Sequence, residues 1–348
     1  MSSFQFAFSA PSNIALIKYW GKGVNQLPKN ASISFSLKHS MTKTYLESFS
    51  RQKNDKTFEL LFEGKTVDKF NPKMEAFFQR VLEIYPALTQ FHFKIHSENT
   101  FPHSTGIASS ASSMAALSLC ITQLATELNL NLPFSDFYQS ASFLARLGSG
   151  SASRSVYGGF TLWGESEYAH GSSNEFAIDI NNLVHPTMKE LGDSILIVSS
   201  QEKSLSSSEG HRLMNNNPYA VPRFLEANRL IGDLLQAMKV GNFEKWGQMI
   251  EKEALGLHAL MMLSEGSPIL LKPASLELVN LVRSFREQTK LPLYFTIDAG
   301  PNLHLIYPLT IKSQVQQFIQ DQCLQLLENS QVIHDQIGLG PQKISWKK

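Results

Sequence analysis

"SAPSNIALIKYWGK" (Ser9–Lys22) holds two kinds of sequence that do not normally adjoin. Ile14, Ala15, Leu16 and Ile17 read as a buried strand, and Lys18, Tyr19, Trp20, Gly21 and Lys22 follow at once. A solvated surface has no need of the two large rings. A packed core does not accept two unpaired ammonium groups. The stretch therefore predicts the rim of a site for something anionic, with an apolar strand beneath it.

Any such anion binding is local. The chain has 348 residues with 31 Lys+Arg against 30 Asp+Glu, a net charge of +1, so there is no polycationic surface for nucleic acid. The length argues for one large domain or two ordinary ones. Two cysteines, Cys120 and Cys323, lie far apart and predict no disulfide framework, which fits a reducing compartment. The first residues lack a basic region followed by a long apolar run, and no apolar stretch reaches the roughly 18 residues a bilayer span requires. The expectation is a soluble, cytoplasmic protein without a membrane contact.

Outward from the opening stretch, the first half is rich in strands: "KTYLESFS", "TFELLFEGKTVDKF" with a turn at Glu63-Gly64-Lys65, and "QFHFKIHSE" (Gln90–Glu98). The period then changes. Met114, Leu117, Ile121 and Leu124 fall at helical spacing, predicting a helix from Ser109 or Ser110. "PFSDFYQSASFLARL" (Pro133–Leu147) reads as a second helix with Pro133 and Ser135 in its first turn and Gly148 at its end. "GGFTLWGES" returns to strand. After a soft boundary near residue 190 come a strand, "DSILIVSS", a long helical stretch from about 222 to 263 broken near Gly241, two strands around Ala299-Gly300-Pro301-Asn302, and a last amphipathic helix, "SQVQQFIQDQCLQLLE". Strands and helices mix without a βαβα rhythm, so the class is α+β. The division expected is 1–190 and 191–348.

Three further stretches can carry chemistry. In "PHSTGIASSASSM" (Pro102–Met114), Gly106 and four serines (Ser109, Ser110, Ser112 and Ser113) lead into a helix N-terminus, where unpaired N–H groups favour phosphate. A serine-capped helix packed on a sheet has the same signature. "GSGSASRSVYGG" (Gly148–Gly159) sets Arg154 among small residues, as a clamp for a carboxylate or phosphate or as a solvated turn. "TIDAGPN" (Thr296–Asn302) ends a strand on Asp298, as a base or as a turn former. His92 and His96 share a strand face without a third ligand at useful spacing and read as ordinary half-buried histidines. His103 stands inside the glycine loop.

Each motif is weak alone. Their order is specific. "NIALIKYWGK", "FPHSTGIASSAS", "GSGSASRS-x-YGG" and "DAGPN" together resemble the GHMP superfamily of small-molecule kinases, and within it the mevalonate diphosphate decarboxylases. The resemblance implies the GHMP kinase fold: an N-terminal lobe like ribosomal protein S5 domain 2 and a ferredoxin-like C-terminal lobe, often as a homodimer. It implies ATP and Mg²⁺, and a 3-hydroxy-3-methyl acid carrying a 5-diphosphate. It also implies roles. Asp298, Lys18 and Arg154 are the catalytic set. Asn13, Tyr19, Lys22, Ser149 and Ser151 bind substrate. Gly106, Ser109 and Ser110 hold the ATP phosphates, with Ser110 reaching Mg²⁺ through ATP.

One segment departs from the family pattern. Members carry a basic residue in a serine-rich segment early in the second lobe, and here "KSLSSSEGHR" (Lys203–Arg212) has Ser208 and Glu209 in that region. Lys203, His211 and Arg212 are the available compensations. The departure keeps open a decarboxylase or 3-kinase acting on mevalonate 5-phosphate or mevalonate. An inactive ligand-sensing relative is the remaining alternative, and it should have lost Asp298, Lys18 or Arg154.

Overall fold

The computed structural model describes residues 3–102, 107, 109–201 and 207–346, with the side chains of 207 and 208 excepted. Ile14–Ile17 closes a 14-residue strand, β1 (Phe4–Ile17), buried on both faces from Phe6 onward. The strand changes core along its length. Phe6, Phe8 and Ala10 pack in one cluster, while Ile14, Leu16 and Ile17 pack in a second with Leu230, Ile231 and Trp246 from the other half of the chain. Burying an aliphatic side chain of this size contributes about 1.5–3 kcal/mol, so the end of β1 is held firmly at the junction of the two halves.

After β1 come β2 (Ser32–Ser50), β3 (Phe58–Phe62), β4 (Lys65–Thr66), helix α1 (Asn71–Ile84), β5 (Phe91–Asn99), α2 (Ser109–Glu127), α3 (Phe137–Gly148), β6 (Phe160–Trp163) and β7 (Ala177–Asp179). The second half holds β8 (Leu191–Leu196), α4 (Ser207–Arg212), α5 (Ala220–Val240), α6 (Phe243–Met262), α7 (Pro273–Thr289), β9 (Tyr294–Ile297), β10 (Leu303–Pro308), α8 (Lys312–Phe318), β11 (Val332–Gln336) and β12 (Gln342–Lys343). Among the described residues the first sheet has the order β12-β1-β2-β5-β3-β4, with β6 joined to β2 and β7 to β6, and the second has the order β11-β8-β10-β9. The one parallel pairing among the described residues is β3 with β5. The chain changes sheets between β7 and β8, and β12 returns to pair with β1.

A register break in β1 makes the joint between the sheets. The partner of Pro11 is Met41 but that of Asn13 is Ser36. Pro11 has no N–H to give the ladder. The β2 backbone freed there turns to the second sheet: the N–H groups of Lys38, His39 and Ser40 donate to the Asp335 carboxylate at 3.0, 2.9 and 2.8 Å.

The strands read from sequence are present, and Glu63 and Gly64 turn with positive φ between β3 and β4. Gly241 (φ +71°) caps α5 and breaks the long helical stretch. Three expectations need correction. Asp136, whose carboxylate accepts from the Gln139 N–H, caps α3, so Pro133 and Ser135 lie outside it. The last amphipathic helix is regular only through Phe318, then widens into a π turn over Ile319–Cys323. Helices α1 and α7 were not foreseen, although each carries proline in its first turn.

Candidate active site

Lys18, at the end of β1, is 3% exposed, and its Nζ lies 2.7 Å from Oδ1 of Asp298, just beyond β9. This resolves the conflict in the opening stretch, because the buried ammonium has a carboxylate. The two ends of the pair come from different sheets. Helix α6 grips the main chain of both. The Lys18 N–H donates to Glu253 Oε1 at 2.8 Å, and His258 Nε2 lies 3.0 Å from the Asp298 carbonyl. Arg223 of α5 pairs with the same Glu253 and also reaches the Lys18 carbonyl, which accepts from Asn30 at 2.9 Å as well. Glu253, Arg223 and His258 are all buried. Regular amphipathic helices hide such residues from sequence reading, since nothing local marks Glu253 as the partner of a strand end 235 residues away.

Lys18 and Asp298 face a cavity of about 130 Å³, also lined by Asn13, Tyr19, Lys22, Ser149, Ser151 and Arg154, and by Ser110 and His211. Arg154 is buried on the loop after α3. Its guanidinium donates to Asn13 Oδ1 at 3.2 and 3.3 Å and to Ser32 Oγ. Burial lowers its pKa to about 10 against the opposing pull of Asp298. Asn13 also donates to the Ser151 carbonyl and to Ser155 Oγ, so both ends of its amide are engaged by protein. The Tyr19 hydroxyl donates to the Gln26 carbonyl at 2.9 Å, and burial pushes the phenol far up. Gly150 is required beneath it: a Cβ there would stand 2.6 Å from the Tyr19 ring. Lys22 has no ion pair among the described residues, and burial lowers its pKa to about 8.

A second cavity of about 140 Å³ adjoins the first. It is mainly apolar, with Leu60, Phe62, Phe70 and Met74 on one side and Ser109, Ser110 and Ser113 at the start of α2 on the other. Ser110 lines both cavities, and its Oγ is 3.4 Å from Ser149 Oγ. Lys73 of α1 lines this second cavity; it remains solvent-accessible, yet the protein around it and then the like charge of Lys22 lower its pKa to about 8. Ser112 is turned away, bonded to Thr42 at 2.6 Å, and so does not join the other serines. Gly106, His103 and Lys203 lie outside the described residues. His92 bonds the Lys56 carbonyl. Among the described residues there is no cluster of three His, Cys, Asp or Glu fit for a metal. The donors near Ser110 are hydroxyls, which suit a metal carried in on phosphates rather than a resident ion.

A family model described as diphosphomevalonate decarboxylase-like N-terminal domain matches residues 10–174, and one described as mevalonate 5-diphosphate decarboxylase C-terminal domain matches residues 194–343. Diphosphomevalonate decarboxylase of Debaryomyces hansenii is 30% identical over 331 residues, covering 90% of this chain and 82% of the relative. The crystal structure of mevalonate diphosphate decarboxylase from Staphylococcus aureus has a TM-score of 0.85 at 28% identity and covers 99% of both chains. A solved complex of MDDEF with MVAPP, AMPPCP and magnesium has a TM-score of 0.82 at 28% identity, covering 99% of this chain and 100% of that one. The fold shared with these structures is the GHMP kinase fold expected from the sequence.

Proposed function

The chain belongs to the diphosphomevalonate decarboxylase family, and from that membership we propose that it converts mevalonate 5-diphosphate and ATP to isopentenyl diphosphate, ADP, phosphate and CO₂. The observation that carries this reading is the position of Ser110. It joins an apolar cavity that suits a nucleotide base to a polar cavity that contains the Lys18–Asp298 pair. Phosphoryl transfer across that junction needs positioning and charge stabilisation more than covalent chemistry from the protein.

When bound, Mg²⁺-ATP supplies the phosphoryl group that converts a poor leaving group, hydroxide, into a good one, phosphate. Ser109, Ser110 and the start of α2 would hold its phosphates, with Ser110 the hydroxyl that would reach the metal through ATP, and the sequence motif assigns Gly106 to the same phosphates. Lys73 joins them. Asp298 orients the tertiary hydroxyl and accepts its proton. Lys18 keeps that carboxylate ionised beforehand. The proton taken by Asp298 passes to the phosphate as that group departs, so Asp298 is again ionised while positive charge grows at the tertiary carbon, and its charge favours that growth. The bond to the substrate carboxylate then breaks, its electron pair forms the alkene and CO₂ departs. Arg154 fixes that carboxylate. Pairing a group that becomes neutral favours the ground state, so Arg154 acts by positioning, and Asn13 acts on the substrate through Arg154. Tyr19, Lys22, Ser149 and Ser151 receive the diphosphate end.

The two-lobe division at residue 190, the homodimer and the cytoplasmic location belong to the same proposal. No helix among the described residues is long and apolar enough to cross a membrane. The deciding assay supplies Mg²⁺-ATP with mevalonate, its 5-phosphate or its 5-diphosphate, and follows ADP and CO₂ together. Equal ADP and CO₂ with the diphosphate alone is the expected result. The same pair with the monophosphate alone changes the substrate, and ADP without CO₂ makes the chain a 3-kinase. No turnover of any substrate with ATP still bound leaves a ligand sensor.

A further inference from the structure

His211 lies in the segment that departs from the family pattern, and the structure gives it a definite place. It is 6% exposed and stands on α4 with its ring against Tyr19 and Trp20, at centroid distances of 4.5 and 4.7 Å. The Gly21 N–H donates to its Nδ1 at 2.9 Å. A ring nitrogen that accepts carries no proton, so the neutral ring bears its proton on Nε2. Burial, with Lys22 and then Arg154 nearby, holds the imidazole well below its usual pKa and agrees with that form. Among the described residues Nε2 has no protein partner, it is not sealed from solvent, and His211 lines the cavity that holds the Lys18–Asp298 pair. A buried N–H donor is thus aimed into the site beside Lys22.

We propose that His211 is a specificity-determining residue whose Nε2–H donates to a phosphoryl oxygen at the 5-end of the substrate. This rests on the function proposed above and adds to it a residue that the family motifs do not mark. A neutral donor suits this wall. Lys22 already supplies a cation at that end with no ion pair among the described residues, Arg154 lines the same cavity, and a further ammonium beside them would meet repulsion. Ser208 and Glu209 bring no positive charge to the segment, so His211 supplies the missing contact as a hydrogen bond.

His211→Phe keeps the stacked ring and removes both nitrogens. His211→Gln keeps a donor near the position of Nε2. The expected result is a KM for mevalonate 5-diphosphate raised about 10- to 100-fold in His211→Phe, the range of a lost hydrogen bond to a charged group, with KM for ATP and kcat changed less than about threefold. His211→Gln should recover most of the loss. An unchanged substrate KM in His211→Phe overturns the proposal. So does an equal rise in both KM values, or a rise that His211→Gln does not reverse, because packing is then the cause. Calorimetric binding of inorganic pyrophosphate to the wild-type chain and His211→Phe separates this inference from the function it rests on. If the wild-type chain turns over no mevalonate compound, that function fails. Weaker pyrophosphate binding in His211→Phe still supports the donor, and equal binding overturns it.

Discussion

Lys18 and Lys22 are four residues apart in sequence and line one cavity, but the protein treats them in opposite ways. Lys18 is sealed in, paired with Asp298 at 2.7 Å, and its main chain is bonded to Glu253 and Asn30. Lys22 has no ion pair among the described residues, and its pKa falls to about 8. An ammonium without a counterion away from water is unfavourable. At the Lys18 end, the protein supplies the counterion and fixes the geometry before substrate arrives. At the Lys22 end no described residue supplies a counterion, and in the proposed reaction a phosphate of the substrate completes the arrangement. The first end is built for a reaction coordinate and the second for recognition.

Substitutions at the two ends should therefore separate kcat from KM. The largest effect belongs to Asp298→Asn, which keeps shape and removes the base and the anionic charge. We expect kcat to fall by about 10³-fold or more, with substrate KM nearly unchanged, in an assay of ADP and CO₂ release. A fall of less than tenfold would mean that Asp298 is a turn former. Lys22→Met should show the reverse pattern. Losing one charged phosphate contact costs about 1.5–3 kcal/mol, read as a KM for the 5-diphosphate raised about 10- to 100-fold with kcat little altered.

Glu253→Gln tests whether the paired end depends on its backing. The amide still accepts from the Lys18 N–H but removes the charge that neutralises buried Arg223. A misplacement of Lys18 against Asp298 by a fraction of an ångström should lower kcat by about 10- to 30-fold, leaving ATP binding intact. Lower thermal stability with kcat unchanged would assign Glu253 to folding alone.

How much of this was legible in the sequence follows the same division. Side chains on or next to the strand ends and Gly/Ser loops were found, since an apolar run that stops at Lys18 or Asp298 is a local contrast. The α+β class and most strands were legible for the same reason. Glu253, Arg223 and His258 were not, because a buried ion pair inside an amphipathic helix differs from its solvated counterpart only through a distant partner. Lys73 was missed along with α1, whose start follows directly on a hairpin. The sequence offered His211 beside Lys203 and Arg212 without choosing among them, and its stacking on Tyr19 and Trp20 depends on how α4 returns over the end of β1.

The smallest of the expected effects concerns pH, and it tests the unpaired end without any substitution. Burial lowers the pKa of Lys22 from 10.5 to about 8, and Lys73, solvent-accessible but crowded by protein and by the charge of Lys22, is lowered to about 8 as well. As the pH rises through about 8, the free enzyme loses the cations that meet the phosphates. The ratio kcat/KM reports the free enzyme, so it should fall above pH 8, by at most about tenfold per unit for each proton lost. Bound phosphates favour the charged lysines, so kcat alone should hold to higher pH. Stability should move the other way. Between about 8 and 10.5 the unfolded chain keeps a proton on Lys22 that the folded chain has released, and stability then rises with pH. In Lys22→Met, Lys73 is relieved of a like charge, and the remaining limb should shift upward. A kcat/KM profile that stays flat to pH 10 would show that Lys22 already has a counterion, and the contrast with Lys18 would be lost.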